Sequence, residues 1–164
     1  ISGKREPLRP VSAMGASGMY FPWTFEALVS PNDLDSARPF TALHEAAHMA
    51  GYAREQDANY VAWLAAERAE PAFRYSADLG MLLYAMEQLH DVDAQSWHFR
   101  VLALSGGVER DFRASGGYRG AEGDTARRAW DGVADAFLRL NGQATCLVSY
   151  GDAVRQAIAH LEHG

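Results

Sequence analysis

The chain has 164 residues, enough for one domain with a real core and short for two. Hydrophobic residues make up 48% and charged residues 22%, the balance of a folded globular chain and not of a disordered tail. The formal net charge of −6 disfavours nucleic acid as a partner, because phosphate binding needs a basic surface, and the lone Cys146 excludes an intramolecular disulfide or a cysteine-rich zinc site.

Residues 1–18 are rich in Gly, Ser, Pro and basic side chains and read as an extended lead-in, with residues 19–164 as a single domain. The chain begins at Ile1, not Met, and reads as a processed or excised fragment; no run approaches the ~18 apolar residues of a membrane span. Met19–Ser30 (MYFPWTFEALVS) is aromatic and β-branched, which predicts a strand or hairpin, with Pro22 placing it at a sheet edge. PNDLDSARP is a loop. Pro39 then suits a first helical position, and Phe40, Leu43, Ala47 and Ala50 form an apolar face that ends near Gly51.

A second helix is expected from about Glu55 to Glu70, stopped by Pro71, with Ala58, Val61, Ala62 and Ala65 inward. YSADLGMLLYAMEQLH gives a third helix and DVDAQSWHFRVLAL a fourth, closed by Gly106 and Gly107. Residues 114–123 (ASGGYRGAEG) read as a flexible loop. Asp124 caps a helix carrying Trp130, Val133, Phe137 and Leu140, and NGQ at 141–143 breaks it. Ser149 and Asp152 make a capping-box-like start to a final helix. The fold class is mostly α (α+β), a helical bundle with a small β element near the N-terminus.

The chemistry concentrates in HEAAHMAGYAREQDAN. Each helical residue advances ~100°, so His44 and His48 lie ~40° apart on one face and their imidazoles can converge on one ion. Glu45 stands one step round, placed to take a proton from a water at that ion. This is the H-E-x-x-H arrangement of zinc hydrolases, which points to zinc as the cofactor. A third protein ligand is needed, and Glu55 and Asp57 are the candidates. Glu55 and Asn59 are spaced i, i+4, so Glu55 can bind the metal while the Asn59 amide oxygen accepts from the outer N–H of a liganding imidazole. Asp57 points ~200° away from Glu55 on an ideal helix and is the alternative ligand, not a partner in the same site. Peptide hydrolysis also needs an oxyanion donor. Tyr150, at the expected start of the last helix, is the first choice, with Tyr75 and Arg74 behind it.

The stretch HEAAHMAGYAREQDANYVAWLA resembles the core motif of an uncharacterised family of bacterial membrane proteins carrying a zincin domain. The likeness extends upstream through GMYFPWTFEALVS and downstream through RYSADL and NGQATCLVSYGDAV. More distantly, REQDAN is similar to the R-E-x-x-A-D segment of membrane zinc proteases of the CAAX prenyl protease type, with Glu55 at the third-ligand glutamate and neutral Asn59 where those proteins carry an aspartate. The resemblance implies a zincin-like metallopeptidase domain, anchored to a membrane through segments outside this chain and acting on a peptide or protein substrate. The alternative is a non-catalytic zincin-like module, stabilised by its metal and used for binding or scaffolding.

Overall fold

A computed structural model describes residues 17–21, 24, 26–121 and 146–163, with the backbone alone for 117–121 and 146–150. The expected hairpin forms. Strand β1 (Gly18–Phe21) pairs antiparallel with β2 (Glu26–Val29), with Gly18 opposite Val29 and Phe21 opposite Glu26. The Ser30 amide continues the pairing by donating to Ser17 O at 2.7 Å. Pro22 and Trp23 lie outside the described residues.

Six described helices follow: α1 (Arg38–Met49), α2 (Glu55–Ala66), α3 (Pro71–Val92), α4 (Ala94–Leu102), α5 (Gly106–Ala121) and α6 (Cys146–His163). The hairpin lies on α1, α1 packs on α2 and α3, and α2 packs on α6. Helix α1 has no side-chain cap of its own at Ala37. Its Phe40 amide instead donates to the buried Ser76 hydroxyl of α3 at 2.9 Å, so a neighbouring helix satisfies one of its free first-turn donors.

The core gathers Phe40, Ala62, Trp63, Ala66, Ala77, Met81, Ala153 and Ala157. Ala58, Ala62 and Ala66 form a stripe of small residues along α2. On α6, Ala153 and Ala157 repeat that spacing, and small facing residues let two helices approach closely. Trp63 supplies the bulk at their edge and donates its indole N–H to Asp78 at 3.0 Å, so its polar atom is not left unmet in the core.

Several expected boundaries move. Helix α2 ends at Ala66, and Ala65 is exposed. Pro71 opens α3 instead of stopping α2, since a residue without an N–H and with φ near −65° fits a first helical position. Gly106 and Gly107 likewise begin α5; α4 closes on its own through a turn at Ala103 and Leu104.

The loop expected over 114–123 is helical through Ala121. Each interior glycine forfeits ~1 kcal/mol, and the Tyr75–Asp111 hydrogen bond at 2.7 Å holds this helix to α3. Arg113 pairs with Glu109 at 2.9 Å, and the Ser115 hydroxyl donates to Asp111 O at 2.9 Å. The final helix is already formed at Cys146, ahead of the expected Ser149, and the Asp152 side chain pairs with Arg155 within the helix. The helix expected from Asp124 and the NGQ break lie outside the described residues.

Candidate metal centre

The centre is built from the last turns of α1, the turn after it, and the first residue of α2. Helix α1 is halted by Gly51 at φ +100°, a conformation that glycine adopts without a Cβ penalty. The Gly51 amide donates to His48 O at 3.0 Å and the Tyr52 amide to Ala47 O at 3.1 Å, the paired bonds of a Schellman stop. Arg54 is extended at φ −85°, ψ 133°, and Glu55 starts α2. The carboxylate is thereby carried back over the two imidazoles one turn after they are presented.

His44 Nε2 and His48 Nε2 are 3.0 Å apart. Glu55 Oε2 lies 3.3 Å from His44 Nε2, and Glu55 Oε1 lies 3.4 Å from His48 Nε2. The two rings meet edge to face, at 89° with centroids 4.5 Å apart. Among the described residues, His44, His48 and Glu55 are the group of side chains whose donor atoms converge as metal ligands do. Zinc bonds of about 2.0–2.2 Å directed to the corners of a tetrahedron put neighbouring donors roughly 3.3–3.6 Å apart, close to the distance from each imidazole nitrogen to its nearer carboxylate oxygen.

The tautomer fits as well. His48 Nδ1 donates to Tyr52 O at 2.7 Å, and a carbonyl can only accept, so the neutral ring keeps its Nε2 lone pair for the cluster. This carbonyl was not foreseen from the sequence. Its signal was present, because Gly51 at the helix stop folds the next carbonyl back on the residue four before it. The residues present could therefore hold a metal ion, with two imidazole nitrogens and one carboxylate.

The charges respond to this crowding. Burial alone would raise the Glu55 carboxyl, but hydrogen bonds from His44 and His48 and their charge hold it well below the usual carboxylate range. Burial also works against His48, yet the hydrogen bond and charge of Glu55, the Tyr52 carbonyl and the Glu45 charge together push the imidazole up. Glu45 is raised: burial dominates, His44 and His48 pull the other way, and Glu55 adds to the rise. Only 5% of Glu45 is exposed, and its side chain lies against β1, where a Cβ built on Gly18 would stand 2.6 Å from Oε1.

The other expected site residues are distributed as follows. Asp57 is outside the cluster and faces Arg54, with Oδ2 3.8 Å from Nε. Asn59 is buried beside the site at 1% exposure, but no hydrogen bond joins it to either ring; its Nδ2 and His44 Nδ1 both lack a partner. The support expected from Asn59 is therefore not formed, and the Tyr52 carbonyl orients His48 instead. Tyr75 donates its hydroxyl to Asp111 at 2.7 Å, and Arg74 stands 3.9 Å from Asp78, so both have partners elsewhere. Tyr150 lies within α6 and not at its start, and its side chain is outside the described residues.

A mostly helical domain with a small antiparallel hairpin and a His–His–Glu cluster is the class that fold and site define. The chain belongs to the family described as protein of unknown function (DUF3810), whose family model matches residues 7–158. No curated protein and no solved structure matches the chain.

Proposed function

We propose that this chain is a zinc-dependent peptidase with a zincin-like site. One observation carries the reading: the donor atoms of His44, His48 and Glu55 converge, while the buried carboxylate of Glu45 stands next in sequence to the first of them. A bound zinc ion would acidify a water and polarise the scissile carbonyl. His44, His48 and Glu55 would hold it, and the Tyr52 carbonyl keeps the His48 ring in the required tautomer.

Glu45 accepts the proton released as water adds to the substrate carbonyl. It then returns that proton to the leaving amine nitrogen as the C–N bond breaks. Its raised pKa suits the role, since a carboxylate base gains strength as its pKa approaches the working pH. A purely structural, scaffold-type centre would favour a fourth protein ligand. Asp57, the available acid, faces Arg54 instead.

The resemblance of HEAAHMAGYAREQDANYVAWLA to a family of bacterial membrane proteins supports anchoring of this chain to a membrane through other segments. Among the described residues, no helix is long and apolar enough to cross a bilayer.

The test is Glu45→Gln, which keeps size and polarity and removes basicity. Cleavage of an unstructured peptide library, read by mass spectrometry, is expected to fall by ~10²–10⁴ while zinc content and folding are unchanged. Undiminished cleavage by the variant would overturn the mechanism.

A further inference from the structure

Gly18 opens β1 without a positive φ, so its backbone does not demand glycine. What it lacks is a side chain, and the space left is occupied. A Cβ at this position would stand 2.6 Å from Glu45 Oε1, 2.7 Å from Thr41 Cγ2 and 3.0 Å from Glu45 Cγ. Separations under 3.0 Å are not tolerated, so one side must move. The strand cannot yield easily: Gly18 is paired opposite Val29, and the neighbouring Ser17 carbonyl accepts from the Ser30 amide at 2.7 Å. Helix α1 is fixed by the Ser76 hydroxyl at Phe40 and by the Thr41 hydroxyl, which donates to Asp33 at 2.9 Å. The free end of the Glu45 side chain is the flexible part that can give way, and the Thr41 methyl, on a short branched side chain, must give as well.

We propose that Gly18 is a positioning residue for the base: its missing side chain is the slot against which the Glu45 carboxylate is held, and a Cβ there displaces the carboxylate and also meets the Thr41 methyl. The inference rests on the hydrolase reading for its catalytic consequence, but the contact itself can be tested without turnover. A base moved by about 1 Å commonly loses ~10² in rate.

The experiment compares wild type, Gly18→Ala, Glu45→Ala and the double variant as zinc-loaded protein, with Gly116→Ala on exposed α5, where a Cβ meets nothing within 4 Å, as the control. Gly18→Ala is expected to bind zinc normally and to lose ~10² in kcat with KM unchanged. In the Glu45→Ala background the same substitution should have little further effect on kcat, because Cγ and the carboxylate that meet the added carbon are both gone. Multiplying effects, or an unchanged kcat in Gly18→Ala, would overturn the proposal.

If Gly18→Ala does not fold, it is repeated in Thr41→Ser, which removes Cγ2 and keeps the hydroxyl that reaches Asp33. A parallel thermal-stability cycle pairs Gly18→Ala with Glu45→Ala in zinc-free protein. Coupling between the two supports the contact, and strict additivity removes it. Absence of wild-type cleavage would overturn the hydrolase reading alone, and the stability cycle would still decide the contact.

Discussion

His48 and Glu55 are shifted in opposite directions, and a pH signature follows from that. In the metal-free chain, against burial in both cases, Glu55 with the Tyr52 carbonyl and Glu45 raises the His48 imidazole, and His44 and His48 lower the Glu55 carboxyl. The His48 contribution to stability is present below the unfolded histidine value of ~6.5 and is lost as pH rises through its higher folded value. The Glu55 contribution is present above the unfolded glutamate value of ~4.3 and is lost as pH falls through its lowered value. Glu45, also raised, adds a loss of stability as pH rises through its own folded value. Metal-free protein should therefore unfold at a lower temperature at about pH 8 than at about pH 5.5. Zinc needs both Nε2 atoms bare, so the stabilisation by zinc should grow over the same interval. Thermal midpoints of chelator-treated and zinc-saturated samples at both pH values check this. A zinc-induced shift that does not change with pH would place the metal elsewhere.

At this scale the sequence was most legible where spacing alone decides geometry. His44, Glu45 and His48 sit on one helix, and their relative directions follow from 3.6 residues per turn. The choice between Glu55 and Asp57 depends on where α2 begins, because each residue of shift turns the acids by ~100°. Arg54 is extended and α2 starts on Glu55, which carries that carboxylate over the rings and leaves Asp57 beside Arg54. The Gly18 contact had no sequence signal: a glycine before an aromatic strand does not say which helix face it will meet.

Among the elements, the expectations that failed share a cause. Gly106, Gly107, Gly116 and Pro71 have the local character of helix breakers, yet all four lie within or at the start of helices. Glycine and proline state local preference, and tertiary contacts override it when they offset about 1 kcal/mol per glycine. The Tyr75–Asp111 bond at 2.7 Å ties α3 to α5 across such a glycine-containing helix, a contact between residues far apart in sequence.

Gly80 in α3 is a different case. A Cβ there would stand 2.6 Å from Phe40 Cδ1 and 2.7 Å from Cε1, and Phe40 is buried in the core. Gly80→Ala should destabilise the protein by about 1–3 kcal/mol through overpacking, against the ~1 kcal/mol that helix propensity returns. The denaturant midpoint measures the net effect. A rise in midpoint, the ordinary result for glycine to alanine in a helix, would show that α1 and α3 do not cross as closely as described.

For the whole molecule, the helix pair α1–α2 is held from two sides, by α3 through the Ser76 cap and by α6 through the alanine stripe. The site residues are local in sequence, but the rigidity that keeps two imidazoles and a carboxylate together is not. An unfolded chain does not preform such a site, so metal binding should stabilise the folded state by linkage. That dependence makes zinc content the most direct measure of the account. Purified protein, equilibrated with zinc and freed of excess, should hold one zinc per chain by elemental analysis. The double variant His44→Ala/His48→Ala should hold none, Glu55→Ala should hold far less than wild type, and Asp57→Ala should match it. Full occupancy in the double-histidine variant would contradict the account.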